Sequence, residues 1–225
     1  MKFKNISYSF KKSSVPFFNK INFSIEDQEI NFLIGKNGSG KTTLIDVILG
    51  FKKSNIKPIN SKKFLYLNQM LPVLDSIKVK DLAELILGIE YGMSSLTLEY
   101  IRTKVDGYTF DFLQENWDKY YSALSGGNQK IAQLILFLQV ERELIVLDEP
   151  TAFLDRKNTA SLFKVIKSHP ERTYLIVTHD IRDFRYFNNF KVSLLNNQKI
   201  QFEADKDEFI EHNQYNEFLQ FFSQN

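Results

Sequence analysis

Residues Gly35 to Thr42 read Gly-Lys-Asn-Gly-Ser-Gly-Lys-Thr and fit the phosphate-binding pattern G-x-x-x-x-G-K-[ST] with no mismatch. Glycines at 35, 38 and 40 let the backbone turn tightly and bring its N–H groups to an anion without Cβ clashes. A helix beginning after the loop adds its unpaired N-terminal donors and its dipole. In this pattern Lys41 reaches the β- and γ-phosphates and the Thr42 hydroxyl ligates Mg²⁺. Gly35, Asn37, Gly38, Ser39, Gly40, Lys41, Thr42 and Thr43 are therefore the candidate cradle of a nucleotide.

Two acids form a second candidate centre. Asp148-Glu149 ends the apolar run Leu144-Ile145-Val146-Leu147, and open α/β sheets bind ligands at the carboxyl ends of such strands. There Asp148 can hold Mg²⁺, directly or through water, and Glu149 can polarise an attacking water. A third centre is Ser125-Gly126-Gly127. A serine N-cap followed by two glycines exposes several N–H groups at a helix start, which makes another anion site.

The elements around these residues follow from hydrophobic period. Ile30–Ile34 has strand length and leads into the loop, and Leu44–Leu49 suits a buried helix after it. Upstream, Phe3–Phe10 and Ile21–Ile25 alternate as strands of an antiparallel N-terminal lobe, joined through a turn at Lys11–Pro16. Lys52–Lys63 is a polar, basic connection to a short strand, Phe64–Leu67. Lys80–Gly88 and Ser94–Leu113 have helical spacing, so residues 70–121 read as a helical insertion into a core of 1–69 and 122–225. Ile131–Val140 is an apolar helical run. Leu144–Leu147 and Thr173–Val177 are continuous apolar strands of the kind that parallel sheets bury on both faces, with a helix at Ser161–Ser168 between them. A hairpin turning at Asn196-Asn197 and a helix from about Asp207 end the chain. The fold class is α/β: a mostly parallel sheet flanked by helices, with an antiparallel β lobe and a helical insertion.

Composition narrows the classes. With 225 residues, 43 % hydrophobic and 25 % charged, the chain fits one good-sized globular domain. A net charge of +2 implies no strong general attraction to nucleic acid. The absence of cysteine excludes disulfides and thiolate metal sites. The longest apolar run, Ile131–Val140, is about half of what a membrane span needs.

Together, the loop, the Asp-Glu pair and Leu124-Ser125-Gly126-Gly127-Asn128-Gln129 resemble the motifs of ATP-binding cassette (ABC) ATPases, in that family's order and over nearly the whole chain. The resemblance implies a P-loop NTPase core, ATP and Mg²⁺ as cofactors, and a head-to-tail dimer in which each signature segment meets the ATP on the other subunit. It further implies that Gln69, closing the strand after the loop helix, resembles the Q-loop glutamine that contacts Mg²⁺ and water and senses the transport partner. His179, in Ile176-Val177-Thr178-His179-Asp180, resembles the switch histidine at the γ-phosphate, and Asp155 the D-loop aspartate. Glu149, His179 and Lys41 are then the catalytic candidates, and Thr42, Gln69 and Asp148 the metal candidates. The cofactor-binding set adds Ser125, Gly126, Gly127 and Asp155. An aromatic for adenine is expected from the N-terminal lobe, either Phe10 or Tyr8.

The chain departs from the pattern in places. Ala152-Phe153 stands where the D-loop usually reads Ser-Ala, Asn128 replaces a commoner Gln, and the segment from Lys41 to Gln69 is short. Thr103-Lys104-Val105-Asp106 matches the [NT]-K-x-D guanine-selecting pattern of small GTPases. It precedes Asp148 instead of following it and lies in the helical insertion, so chance accounts for it.

The expected function is the ATP-hydrolysing subunit of an ABC transporter, leaning to an exporter type because the chain ends soon after its last helix. Its partners would be a transmembrane permease subunit and a second ABC ATPase subunit. Its place would be cytoplasmic, peripheral on the inner face of the membrane through that permease. The alternative is a soluble, non-transport ABC ATPase acting on nucleic acid or the ribosome. Relatives of that kind carry paired cassettes, coiled coils, zinc modules or basic arms, and none is visible here.

Overall fold

The computed structural model describes residues 1–11, 13–69, 74 and 76–215, with side chains up to residue 211. The chain forms two compact units. The first comprises Met1–Tyr66, Glu143–Glu149 and the segment from Glu171, and the second Leu67–Arg142 with Pro150–Pro170.

In the first unit, β1 (Lys2–Tyr8) and β2 (Phe18–Ser24) form a two-stranded antiparallel sheet. Its register slips between Phe3 and Ile6 and again between Ile6 and Tyr8. Asn5 and Lys20 take positive φ in this lobe (55° and 53°). β1 stops at Tyr8, so Phe10 lies beyond the strand expected to contain it.

The main sheet contains β3 (Ile30–Ile34), β4 (Phe64–Leu67), β5 (Leu144–Asp148), β6 (Thr173–Thr178), β7 (Lys191–Asn196) and β8 (Lys199–Asp205), in the order β4-β5-β6-β3-β7-β8. Pairing is parallel from β5 through β6 and β3 to β7, and antiparallel at β7–β8. β5 and β6 are buried at every position, as their uninterrupted apolar sequences require. The β7–β8 reversal is at Asn197-Gln198, one residue later than expected, with φ of 46° and 57°. Two successive positive φ values match the twist of a tight hairpin.

One face of this sheet is covered by α1 (Lys41–Ile48), whose Leu44, Ile45, Val47 and Ile48 join Ile6, Phe18, Leu33, Val146 and Val177 in a common core. A second cluster gathers Phe32, Phe184, Phe187 and Phe190, with ring centroids 4.4–5.8 Å from Phe32. Phe184 sits in a 3₁₀ helix, Ile181–Tyr186, that the sequence pattern did not suggest. Phe209 of the last helix, α7 (Lys206–Tyr215), packs on Phe184 at 5.3 Å.

The second unit is helical: α2 (Val79–Tyr91), α3 (Leu98–Arg102), α4 (Gly107–Asn116), α5 (Gly126–Phe137) and α6 (Arg156–Lys167). It holds the described part of 70–121 together with α5 and α6. The start of α4 is capped: the Asp106 carboxylate accepts from Tyr108 N at 2.9 Å and Thr109 N at 3.1 Å. That use of Asp106 gives the Thr103–Asp106 segment a structural role. Among the described residues no helix is long and apolar enough to cross a membrane.

Candidate functional site

The first unit brings Lys41, Thr42, Asp148, Glu149 and His179 to one edge of the sheet. Register explains why. Ile34 of β3 pairs with Thr178 of β6, and Asp148 of β5 pairs with Val177. Three adjacent parallel strands thus end together, and the residues that follow each of them emerge side by side.

Within the loop, the Lys41 ammonium donates to the carbonyls of Gly35 (2.7 Å) and Lys36 (3.2 Å). Burial pushes the Lys41 ammonium below the usual lysine range, and the carboxylates of Glu149 and Asp148 oppose that shift. A Cβ at Gly35 would lie 2.1 Å from the Leu195 carbonyl oxygen, so only glycine allows β7 this close to the loop. Thr42 Oγ1 donates to Asp148 Oδ2 at 3.0 Å, joining the loop to the end of β5. Tyr66 OH donates to the same oxygen at 3.3 Å. Asp148 is 7 % exposed. Its carboxyl is raised by burial, while the Thr42 hydroxyl, the Tyr66 phenol and the Lys41 charge pull it back.

Glu149 leaves β5 with φ of 49°, a left-handed conformation that is strained for a glutamate. Its N–H donates to the Val177 carbonyl at 2.9 Å, which anchors the turn. Its Oε1 lies 3.1 Å from His179 Nδ1, and the imidazole is about half exposed (54 %). Just beyond, Asp180 grips Arg182 at 2.6–2.9 Å, and that hydrogen-bonded pair holds its carboxyl below the usual range.

The arrangement suits a nucleotide phosphate. Ser39 Oγ is buried in the loop without a hydrogen-bond partner, an unmet polar group beside a lysine and the start of an eight-residue helix. Asn37 and Gly38 are exposed along the loop, and Thr43 is half-buried on the first turn of α1. The Thr42 hydroxyl and the Asp148 carboxylate supply hard oxygen donors of the kind that Mg²⁺ takes.

The aromatic expectation widens here. Phe10 stacks edge-on against Tyr8 and against Phe17, both at 5.1 Å, and Phe17 against Phe18 at 4.9 Å. A Cβ at Gly40, whose φ is 109°, would lie 2.8 Å from the Phe17 ring. Phe17 is therefore the aromatic against the phosphate loop, and sequence reasoning passed over it inside a Ser- and Pro-containing turn. Tyr66 was also missed, because an aromatic in a short strand reads as packing. Its place on the same side of β4 as Phe64 was the available signal.

The second unit carries the other candidates. Gln69 follows β4 and is exposed. Ser125 caps α5, its hydroxyl accepting from Asn128 N at 3.3 Å, and Gly126 and Gly127 open the helix. A Cβ at Gly127 would come within 2.9 Å of Asn158 Nδ2, which also donates to Asn128 Oδ1 at 3.3 Å. Asp155 caps α6 through Asn158 N at 2.7 Å. Phe153, at φ of 65°, is 88 % exposed, and Lys130 Nζ holds the neighbouring Ala152 carbonyl at 2.7 Å. Of the apolar residues considered for partner contact, Met93 is 37 % exposed, Trp117 is half-buried, and Met70 and Leu71 lie outside the described residues.

Known proteins share this construction. Residues 18–152, more than half of the chain, match the family described as ABC transporter. The lipoprotein-releasing system ATP-binding protein LolD of Buchnera aphidicola is 29 % identical, over 79 % of this chain and 86 % of that protein. The putative hemin import ATP-binding protein HrtA of Staphylococcus epidermidis is 31 % identical, over 81 % of this chain and 91 % of its own length. Among solved structures, an ATP-binding subunit of an ABC transporter superposes with a TM-score of 0.75 at 18 % identity, covering 95 % of this chain and 92 % of its own. A dimeric bacterial ABC transporter cassette gives 0.69 at 22 % identity, covering 90 % and 97 %; these two likenesses concern the fold. With the phosphate loop, the β5 acids and His179 on one sheet edge, and with this family match, the chain belongs to the ABC transporter family as an ATP-binding, ATP-hydrolysing subunit.

Proposed function

We propose that two copies of this chain, or one copy and a close relative, close head to tail around two ATP molecules with Mg²⁺ and drive a conformational change in a separate transmembrane permease. The observation that carries this reading is the convergence of Lys41, Thr42, Asp148, Glu149 and His179 at the ends of β3, β5 and β6. Gly35–Thr43 holds the phosphates, and Lys41 turns from the Gly35 and Lys36 carbonyls to the β- and γ-phosphates. Glu149 orients the attacking water and accepts its proton, and His179 fixes the Glu149 carboxylate from 3.1 Å. Bound Mg²⁺ would neutralise charge on the phosphate oxygens. Thr42 and Asp148 of the first unit are the residues offered to it, and the family resemblance adds Gln69. Such an ion draws most of its ligands from water and substrate phosphate.

In this reading Ser125, Gly126, Gly127 and Asp155 serve the nucleotide of the opposite subunit, and residues 70–121 act as a helical subdomain that passes the motion to the permease. The protein then works on the cytoplasmic face of the membrane, held there by its partner. The test is Glu149→Gln. ATP turnover should fall by about 10²–10⁴-fold while ATP binding persists and a dimer accumulates on gel filtration. Unchanged turnover overturns the assignment of Glu149. Purification from membranes should bring down an integral membrane protein, and recovery of nucleic acid with no membrane protein refutes the transport role.

A further inference from the structure

Asp148 Oδ2 has two protein donors, Thr42 Oγ1 at 3.0 Å and Tyr66 OH at 3.3 Å. A carboxylate oxygen has two lone pairs, so both of those on Oδ2 are engaged, and Oδ1 is the oxygen left for an ion or its water. The two donors come from different elements. Thr42 is on α1 next to the phosphate loop, whereas Tyr66 is on β4, the strand next to β5 in the sheet. Together they fix the carboxylate plane, because rotation about the Asp148 side chain would break both bonds at once.

The phenol is itself held in place. Its ring packs at 5.9 Å on Phe51, which in turn meets Phe64 at 6.1 Å. Phenylalanine would fill this half-buried position equally well, so packing alone does not call for the hydroxyl.

We propose that Tyr66 is a positioning residue for the metal, its phenol holding Oδ2 of Asp148 so that Oδ1 faces the ion. This rests on the reading of Asp148 as the metal-holding carboxylate. Tyr66 touches neither nucleotide nor metal and acts only through Asp148.

The test uses the 225-residue chain with Mn²⁺ as the probe and a non-hydrolysable ATP analogue, read by electron paramagnetic resonance. Tyr66→Phe removes the donor and keeps the ring. Its Mn²⁺ affinity in the ternary complex should fall about tenfold, the size of one lost hydrogen bond to a charged group, with a changed Mn²⁺ line shape. Its affinity for the analogue in excess EDTA should match the parent chain. Asp148→Asn should lose more Mn²⁺ affinity still. If Tyr66→Phe binds Mn²⁺ like the parent while Asp148→Asn does not, Tyr66 has no positioning role and the reading of Asp148 stands. If Asp148→Asn also binds Mn²⁺ normally, both fall. Equal losses of metal-free and metal-dependent binding in Tyr66→Phe would make the phenol a structural group and overturn the proposal.

Discussion

Replacing Gly35 with alanine tests the contact between the phosphate loop and β7. The added Cβ would lie 2.1 Å from the Leu195 carbonyl oxygen and 2.7 Å from Ser39 Oγ. The first of these is backbone, fixed by the pairing of Leu195 with Ile200 and by its place in the core. Relief therefore requires a backbone shift of about 1 Å on one side, at the upper end of the roughly 1–3 kcal/mol that overpacking costs. We expect a loss of about 3 kcal/mol, which for a chain of this size lowers the melting temperature by about 6–12 °C. Gly35 also offers its carbonyl to Lys41 at 2.7 Å, so a shifted loop misplaces the lysine. One disturbed charge-assisted hydrogen bond predicts ATP affinity about 10–100-fold weaker. Gly107→Ala is the control: it opens α4 with nothing within 4 Å of the new methyl, and it should be neutral or slightly stabilising. Calorimetry and a fluorescent-nucleotide titration read both quantities. A Gly35→Ala protein that melts and binds ATP like the control refutes the close-approach argument.

Two further outcomes follow from the same unit. Phe17→Ala should weaken ATP binding more than Phe10→Ala, by about 1–3 kcal/mol if the Phe17 ring stacks on the base; isothermal titration ranks the two, and the reverse order would return the role to Phe10. Asp180 has its folded pKa held below its ordinary value by Arg182. The unfolded chain takes up that proton first as pH falls, so the contribution is full above about pH 4 and vanishes once pH drops through the folded pKa. Asp180→Asn should thus be less stable than the parent in urea at pH 7, with the gap narrowing by pH 3. A gap that stays constant would show that the carboxylate charge is not involved.

Where chemistry and local pattern coincide, the sequence was legible. Gly35–Thr42 has few ways to be anything but an anion loop between a strand and a helix. The uncharged runs at β5 and β6 likewise fit only strands covered on both faces. Legibility failed where tertiary neighbours decide. The 3₁₀ helix at Ile181–Tyr186 exists because Asp180 caps it and Phe184 packs on the Phe32 ring of β3, neither of which leaves a period in the sequence. Phe17 and Tyr66 become site neighbours only when β2 and β4 take their places beside α1. The hairpin turn shifted by one residue because Asn196 still pairs with Lys199, leaving Asn197 and Gln198 as the pair with positive φ. Asp155, read from resemblance alone, also has a local occupation as the α6 cap, and that use would keep an aspartate there without any nucleotide.

The backbone at Glu149 has a consequence for anyone who selects this protein for heat resistance. A glutamate at φ of 49° is about 1–2 kcal/mol worse off than glycine would be in the same conformation. A library screened only for melting temperature should therefore drift toward glycine or asparagine at position 149 and, on the role proposed for Glu149, return sturdier proteins that no longer turn over ATP. Glutamate should persist there only in lineages whose survival depends on the reaction.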